Sequence, residues 1–366
     1  MLAAPPFSLL DHFSRVDDAI DTNANIADAI VEVGRASFAL PATPNPHQDH
    51  GPQHVNWHDT ATPLDVNKAH STIRQFYRDW SAEGAAEREV CYEPVRRALR
   101  AAFGPKNTAP PPPPPPAAAP AGGPIGPIRV LVPGAGLGRL VFDLCHDGFD
   151  TEGNEISYHQ LLASNWILNH TAEPQQHVLH PFALHFANLH SREQQIRPVL
   201  VPDVHPGMAL SSSTTPGNRL GTMSMSASDF TVSYRGESTR GTFDAVATVF
   251  FIDTAPNLIR YLEAIHHCLK PQGLWINVGP LLWHVDEGKG MDSPPQPSQP
   301  SQPSGIAEPG SVELTSEEVL VLVDRMGFTI EDYQPDLGAC GYIQDARSMM
   351  QHVYRPVFWT ARRRPS

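Results

Sequence analysis

The 366-residue sequence predicts an α/β fold built on a doubly wound, mostly parallel sheet. Short apolar runs typical of buried strands alternate along the chain with longer segments of helical periodicity. A glycine-rich turn at residues 134–138 directly follows one of these apolar runs. The last two strand-like segments resemble a hairpin, so we expect one edge strand of the sheet to be antiparallel.

Residues 66–103 predict a helical extension on the N-terminal side of the sheet. Apolar residues recur there at helical spacing: Ile73, Phe76, Tyr77, Trp80, Val90, Val95 and Leu99. We therefore place a helical cap at residues 65–103. The first 64 residues give no clear pattern, and we treat them as a poorly defined N-terminal segment.

Strands and helices alternate from residue 128 onward. Apolar runs predict strands at residues 128–132, 243–252, 273–280, 328–333 and 353–362, and a further strand-like stretch ends at Glu155. Periodicity predicts helices at residues 138–148, 160–170, 256–269 and 315–327. Pro256 suits a first helical position, and Thr315 with Glu318 forms a capping box. Glycines at positions 148 and 327 suit helix ends.

Proline is abundant and unevenly spread, with 38 residues in the chain. The run "PPPPPPP" and the residues around it cannot bury apolar surface, which predicts a Pro-rich linker at residues 104–127. Two further low-complexity stretches, near residues 207–222 and 286–311, are predicted to be loop inserts in a single domain that spans residues 128–366.

The composition excludes several classes of function. A formal net charge of −13 argues against nucleic acid as a partner, because nucleic-acid binders need a basic face. The absence of a long apolar run argues against a membrane span, and we expect no signal peptide. The four cysteines lie far apart, and the histidines show no HExxH spacing, so we expect no bound metal. These features predict a cytoplasmic protein, and a nuclear location suits them equally.

The glycine turn suits an adenosine-containing cofactor. Its spacing is GxGxG, whereas dinucleotide-binding turns prefer a glycine at the sixth position, where this chain has Arg139. Glu155 follows about 20 residues later, where a carboxylate can hold ribose hydroxyls. The turn "SMSASDF" ends in Asp229 and Phe230, and "CLKPQGLWIN" has Gln272 where methyltransferases usually have glycine. Together these features favour S-adenosylmethionine over a nicotinamide cofactor.

Several stretches together resemble the carnosine N-methyltransferase family: "IRQFYRDWSAEGAAER", "LVPGAGLGRL", "GNE", "FFIDTAPN", "KPQGLWINVGPLLWH" and "SMMQHVYRPVFW". The resemblance covers about residues 66–362 apart from the inserts. It implies a seven-stranded Rossmann-like methyltransferase sheet at residues 128–366. It also implies transfer of a methyl group from S-adenosylmethionine to an imidazole nitrogen of carnosine, giving anserine, or of a related His-containing dipeptide.

The resemblance also implies a set of cofactor contacts. These are Gln75, Arg78, Gly134, Glu155, Asp229, Phe230 and Val249. Gln75 and Arg78 are three residues apart and share a helix face, and an arginine fork suits the carboxylate of S-adenosylmethionine. Val249 stands where the family has a cysteine, so a main-chain contact would survive there and a thiol contact would not.

Four residues are implied as substrate contacts: Asp253, His284, Tyr354 and, more weakly, Tyr342. Asp253 follows a predicted strand at its carboxyl end, where open α/β sheets place their ligands. We assign it the catalytic role of stabilising the developing imidazolium and accepting its proton. The alternative is that Asp253 caps the helix that begins near Pro256.

Two other functions stay open at this point. A protein-histidine methyltransferase needs the same imidazole chemistry, and a non-catalytic S-adenosylmethionine-binding scaffold would use the proline tract. The residues predicted for the site argue against the scaffold. The predicted partner is a small His-containing dipeptide, and a homodimer is left open.

Overall fold

The computed structural model describes residues 2–38, 60–104, 126–211, 220–283 and 312–365. Nearly all of the predicted linker, the whole insert near residues 286–311 and the candidate His284 lie outside the described residues. The chain divides into two compact units. The first unit comprises Met1–Glu87, Ser157–Ser212 and Gly341–Val353, and the second comprises Arg88–Ile156, Ser213–Cys340 and Tyr354–Ser366.

The elements are numbered in chain order. Up to residue 211 they are α1 (Leu9–Ser37), α2 (Pro63–Trp80), α3 (Ala85–Cys91), α4 (Glu93–Phe103), β1 (Arg129–Pro133), α5 (Arg139–His146), β2 (Asp150–Glu155), α6 (Tyr158–Asn169), β3 (His177–Leu179), α7 (Arg192–Gln195), β4 (Val199–Val201) and α8 (Pro206–Ser211). From residue 220 they are β5 (Met223–Ala227), α9 (Phe230–Ser233), β6 (Phe243–Val249), α10 (Leu258–Cys268), β7 (Leu269–Gly279), α11 (Ser316–Arg325), β8 (Phe328–Gln334) and β9 (Val357–Arg363).

The second unit contains a seven-stranded sheet in the order β5-β2-β1-β6-β7-β9-β8. Strands β5, β2, β1, β6 and β7 pair in parallel, and β9 is antiparallel to both β7 and β8. The predicted α/β fold with a mostly parallel seven-stranded sheet is therefore confirmed. The expected antiparallel pairing at one edge is also confirmed, because the edge strand β8 pairs antiparallel with β9. The strand that runs opposite to the other six is β9, which lies one position inside this edge. Its residues Phe358 to Ala361 are buried, whereas β8 exposes most of its residues and suits an edge.

Apolar layers cover both faces of this sheet. On one face, Val246 and Trp275 pack against residues of α10 and α11 such as Leu262 and Val323. On the other face, Ile276 packs in a cluster that includes residues of α4 and α5. Because the five parallel strands run in one direction, the loops that follow β1, β2, β5, β6 and β7 emerge at the same edge of the sheet.

The first unit begins with α1, a 29-residue helix in the segment that we predicted to be poorly defined. Its buried residues Val16, Ala19, Ile26 and Ile30 lie three, four or seven positions apart, which is a helical period that the sequence does contain. Polar Asn23 interrupts the apolar stripe, and its side chain instead bonds the main chain of His180. No helix among the described residues meets the length and hydropathy needed to cross a bilayer.

Helix bounds mostly follow the predicted signals. A capping box of Thr315 and Glu318 starts α11, and Gly327 follows the helix with a φ of 92°. Helix α10 begins at Leu258 and not at Pro256, because the side chain of Asn257 accepts a hydrogen bond from the N–H of Ile259 and caps the helix there. The boundaries predicted for the domains stay predictions.

Gln272 occupies a left-handed backbone conformation with a φ of 63°. Such a conformation costs a residue with a Cβ about 1–2 kcal/mol, and glycine avoids this cost. We expect Gln272→Gly to raise the free energy of unfolding by about 1 kcal/mol, because relief of this cost exceeds the extra backbone entropy that glycine loses on folding. For a chain of 366 residues, the corresponding rise in Tm is about 1–2 °C. Gln272→Ala is the control, because it keeps the Cβ, and a stabilisation of the same size by alanine would contradict this explanation.

Candidate functional site

The glycine turn joins β1 to α5 and requires glycine at several positions. Gly134, Gly136 and Gly138 have φ values of 66°, 57° and 77°, which other residues rarely adopt. A Cβ added at Gly134 would lie 2.5 Å from Cδ2 of Phe251. Gly134 therefore allows the ring of Phe251 to pack directly against the turn, beyond any role in approaching a ligand.

Glu155 ends β2 and holds this turn in place. Its side chain is buried, Oε2 accepts a hydrogen bond from the N–H of Gly136 at 2.9 Å, and Oε1 accepts one from the N–H of Ile156 at 2.9 Å. Each oxygen of a carboxylate can accept more than one hydrogen bond. The same group can shape the turn and accept hydrogen bonds from ribose hydroxyls.

Asp229 lies next to Glu155 in space, because the N–H of Ser228 donates to the carbonyl oxygen of Glu155 at 3.1 Å. Asp229 caps the short helix α9: its Oδ1 accepts from the N–H groups of Thr231 and Val232 and from the hydroxyl of Thr231. All three of these bonds use Oδ1. This geometry leaves Oδ2 suited to accept from an amino group such as that of adenine.

A cluster of three aromatic rings lies next to these carboxylates: Phe230, Phe251 and Tyr261. The ring of Phe230 is 5% exposed and packs edge-on against Phe251 and Tyr261. Phe230 is therefore a core residue whose main-chain N–H, at the start of α9, is the group suited to a ligand. The pKa of Tyr261 is raised to about 12, chiefly by burial and also by the negative charges of Asp229 and Glu155. Both carboxylates are thus near the same phenol.

Asp253 is buried in a turn that directly follows β6, with 2% of its surface exposed. Its Oδ2 accepts a hydrogen bond from the N–H of Leu282 at 3.0 Å, which ties the loop after β6 to the loop after β7. The alternative that Asp253 caps α10 is wrong, because Asn257 is the residue that caps it. Leu282 lies two residues before His284, which is outside the described residues.

Phe250 precedes Asp253 and was not predicted as a site residue. Its φ of 52° is uncommon for a bulky side chain, and such conformations often occur at functional sites. The Phe250 ring meets the ring of the half-buried Tyr354 edge-on, with centroids 5.6 Å apart. Main-chain bonds to Cys340 hold Tyr354 on both sides. Val249 is the last residue of β6 and pairs with Val278 of β7.

The sequence contains no local signal for the conformation of Phe250. A left-handed backbone is uncommon for a bulky residue, so the side-chain type does not predict it.

Three predicted residues lie in the first unit. Gln75 and Arg78 are both buried on α2, with 5% and 7% of their surface exposed. The Nε of Arg78 donates to Oδ1 of Asp79 at 2.8 Å, and its guanidinium carbon lies 4.6 Å from the ring centroid of Tyr342. The structure therefore brings a predicted cofactor residue into contact with a predicted substrate residue.

The donors and acceptors of the second unit fit an adenosine. Buried carboxylate oxygens suit ribose hydroxyls and an adenine amino group, and the N–H groups of the glycine turn are further donors. Among the described residues, no cluster of histidine, cysteine, aspartate or glutamate has the geometry of a metal site.

Comparisons with known proteins agree with this chemistry. The family model for carnosine N-methyltransferase matches residues 55–365. The carnosine N-methyltransferase of Schizosaccharomyces pombe is 36% identical over 360 residues, which are 97% of this chain and 83% of that protein. The carnosine N-methyltransferase of Rattus norvegicus is 35% identical over 303 residues, which are 83% of this chain and 64% of that protein.

A solved structure of an S-adenosylmethionine-dependent methyltransferase from Methanosarcina mazei aligns at 13% identity with a TM-score of 0.35, covering 66% of this chain and 94% of that one. The fold is shown by the strand order of the chain itself. The family match over residues 55–365 and the identity to the S. pombe protein are decisive. The chain belongs to the carnosine N-methyltransferase family of S-adenosylmethionine-dependent methyltransferases.

Proposed function

We propose that this chain transfers a methyl group from S-adenosylmethionine to an imidazole nitrogen of carnosine, giving anserine, or of a related His-containing dipeptide. The observation that carries the proposal is Asp253, a buried carboxylate that follows β6 and does not serve as a helix cap. The names of the S. pombe and rat relatives supply the substrate class. A buried, oriented carboxylate can stabilise the imidazolium that forms in this transfer and accept its proton.

The cofactor contacts follow from the acceptors that the turn and its neighbours present. Glu155 accepts from the ribose hydroxyls, Oδ2 of Asp229 accepts from the adenine amino group, and Phe230 offers its main-chain N–H. Val249 contacts the cofactor through its main chain, and Gly134 allows the turn to approach the cofactor closely. Gln75 and Arg78 are assigned to the carboxylate of S-adenosylmethionine. When bound, S-adenosylmethionine supplies a methyl group on a positively charged sulfur, open to in-line displacement.

The protein's task is to present a neutral imidazole nitrogen with its lone pair free. Asp253 accepts a hydrogen bond from the N–H at the other ring nitrogen, which selects the tautomer. As positive charge develops on the ring, the same carboxylate stabilises this charge and accepts the proton. The N–H of Leu282 orients Asp253 for this role. Tyr354, His284 and Tyr342 are assigned to orientation of the dipeptide.

Location and assembly also stay predictions. All four cysteines are buried and unbridged, which suits the predicted cytoplasmic or nuclear environment. Measurement of the molecular mass in solution would decide between a monomer and a homodimer.

The reaction itself is tested by incubating the protein with isotope-labelled S-adenosylmethionine and carnosine. We expect mass spectrometry to show one labelled methyl group on the imidazole of the dipeptide. A labelled histidine in a protein or peptide acceptor, with carnosine unmodified, would favour protein-histidine methylation. Cofactor binding without methylation of any imidazole acceptor would contradict the proposed enzyme.

Asp253→Asn should lower turnover on carnosine by about 10²–10⁴-fold, the usual contribution of a positioned acid or base. The amide keeps the shape and can still accept from Leu282, but it loses the charge and the proton acceptor. The affinity for S-adenosylmethionine should change little, because Asp253 is not assigned to the cofactor. Near-normal turnover would remove Asp253 from the mechanism.

The matched control for this variant is Asn257→Ala. Loss of the helix cap should lower the free energy of unfolding by about 1 kcal/mol. Turnover should stay within about twofold of the wild type, because the cap touches no reacting group and the activation free energy is therefore nearly unchanged. The pair of variants separates catalysis from stability.

Glu155→Gln should weaken the binding of S-adenosylmethionine by about 10–100-fold in calorimetry, since a hydrogen bond to a charged group contributes about 1.5–3 kcal/mol. Glu152→Gln is the control: Glu152 lies on the same strand but accepts from the hydroxyl of Tyr234. That variant should lose stability and keep its cofactor affinity. If both variants bind S-adenosylmethionine as the wild type does, Glu155 only shapes the turn.

A further inference from the structure

A buried carboxylate in the first unit, Glu87, holds the segment at residues 341–353. Its Oε2 accepts a hydrogen bond from the N–H of Ile343 at 2.9 Å, and its Oε1 accepts one from the N–H of Gln344 at 2.9 Å. The two partners are 256 and 257 residues away in the chain. Two charge-assisted bonds to consecutive N–H groups fix both the position and the direction of the segment.

Gly341 and Arg74 also hold the segment at residues 341–353 next to Glu87. A Cβ added at Gly341 would lie 2.6 Å from Oε1 of Glu87 and 2.7 Å from Cβ of Gln344, so only glycine allows the approach. From α2, Arg74 donates to the carbonyl oxygen of Ile343 at 3.3 Å. The main chain of Ile343 is thus bonded at both its N–H and its carbonyl group.

The held segment carries Tyr342, the residue between Gly341 and Ile343. The ring of Tyr342 covers the guanidinium of Arg78 at 4.6 Å, and Asp79 binds the edge of the same guanidinium at 2.8 Å. A guanidinium that is stacked and bonded at one edge keeps few rotamers, so it loses less entropy when it binds a carboxylate. Its orientation therefore depends on where Tyr342 is held.

We infer that Glu87 is a positioning residue, which holds Tyr342 on Arg78 and through this contact sets the affinity of the protein for S-adenosylmethionine. The inference rests on the proposed function, in which Arg78 binds the carboxylate of the cofactor. Glu87 touches neither cofactor nor substrate in this scheme. It acts through the segment at residues 341–353.

The test is calorimetric titration of S-adenosylmethionine into Glu87→Gln, Tyr342→Ala and the double variant. Each single variant should raise the Kd about three- to tenfold, the range of a partly buried cation–π contact. The double variant should be no weaker than the weaker single variant, because both changes remove the same contact. Gly341→Ala should also raise the Kd, since it displaces the segment without altering Glu87. Glu89→Gln, an exposed carboxylate on the same helix, is the control and should bind normally.

Two outcomes would overturn the inference. One is a lower Tm for Glu87→Gln and Gly341→Ala with an unchanged Kd, which would make Glu87 a purely structural residue. The other is additivity of the Glu87 and Tyr342 effects. If Glu87→Gln does not fold, Tyr342→Ala and Gly341→Ala still decide the matter. Failure here would leave the labelled product of the wild-type protein unaffected, whereas failure of the proposed function would remove that product.

Discussion

Acceptance of main-chain N–H bonds by buried or half-buried carboxylates is the interaction on which the functional loops of this chain depend. Glu155 holds the glycine turn, Asp229 starts α9, Asp253 fixes the loop at Leu282, and Glu87 fixes the segment at residues 341–353. Each charge-assisted bond is worth about 1.5–3 kcal/mol. The loops have no repeating ladder of their own, so these acceptors give them a defined shape. In three of the four cases the same carboxylate is also assigned to ligand or substrate.

The sheet was predictable because its information is local. Strands β1, β6 and β7 each contain a short apolar run, at residues 130–132, 245–247 and 274–276, and the helices between them show clear periods and caps. The inner position of β9 was not predictable, since the order of strands depends on pairing between distant segments. Helix α1 was missed for a different reason: Asn23 breaks its apolar stripe, and its partner, His180, is 157 residues away.

The site shows the same division between local and distant information. The glycine turn and Glu155 follow from spacing alone, and the roles assigned to Asp253 and Tyr354 came from resemblance. Which of Asp253 and Asn257 caps α10 could not be decided from the sequence, because both residue types cap helices equally well. The contact of Tyr342 with Arg78 depends on a fold that joins residues more than 260 positions apart, so no local pattern predicts it.

The left-handed conformation of Phe250 separates two adjacent rings by environment. Phe250 meets Tyr354, a residue assigned to the dipeptide, whereas Phe251 packs against Gly134 of the cofactor turn. A change of methyl acceptor by mutagenesis would therefore vary Phe250 and keep Phe251. A library built at Phe250 and Tyr354 samples the acceptor side, while randomising Phe251 would disturb the glycine turn.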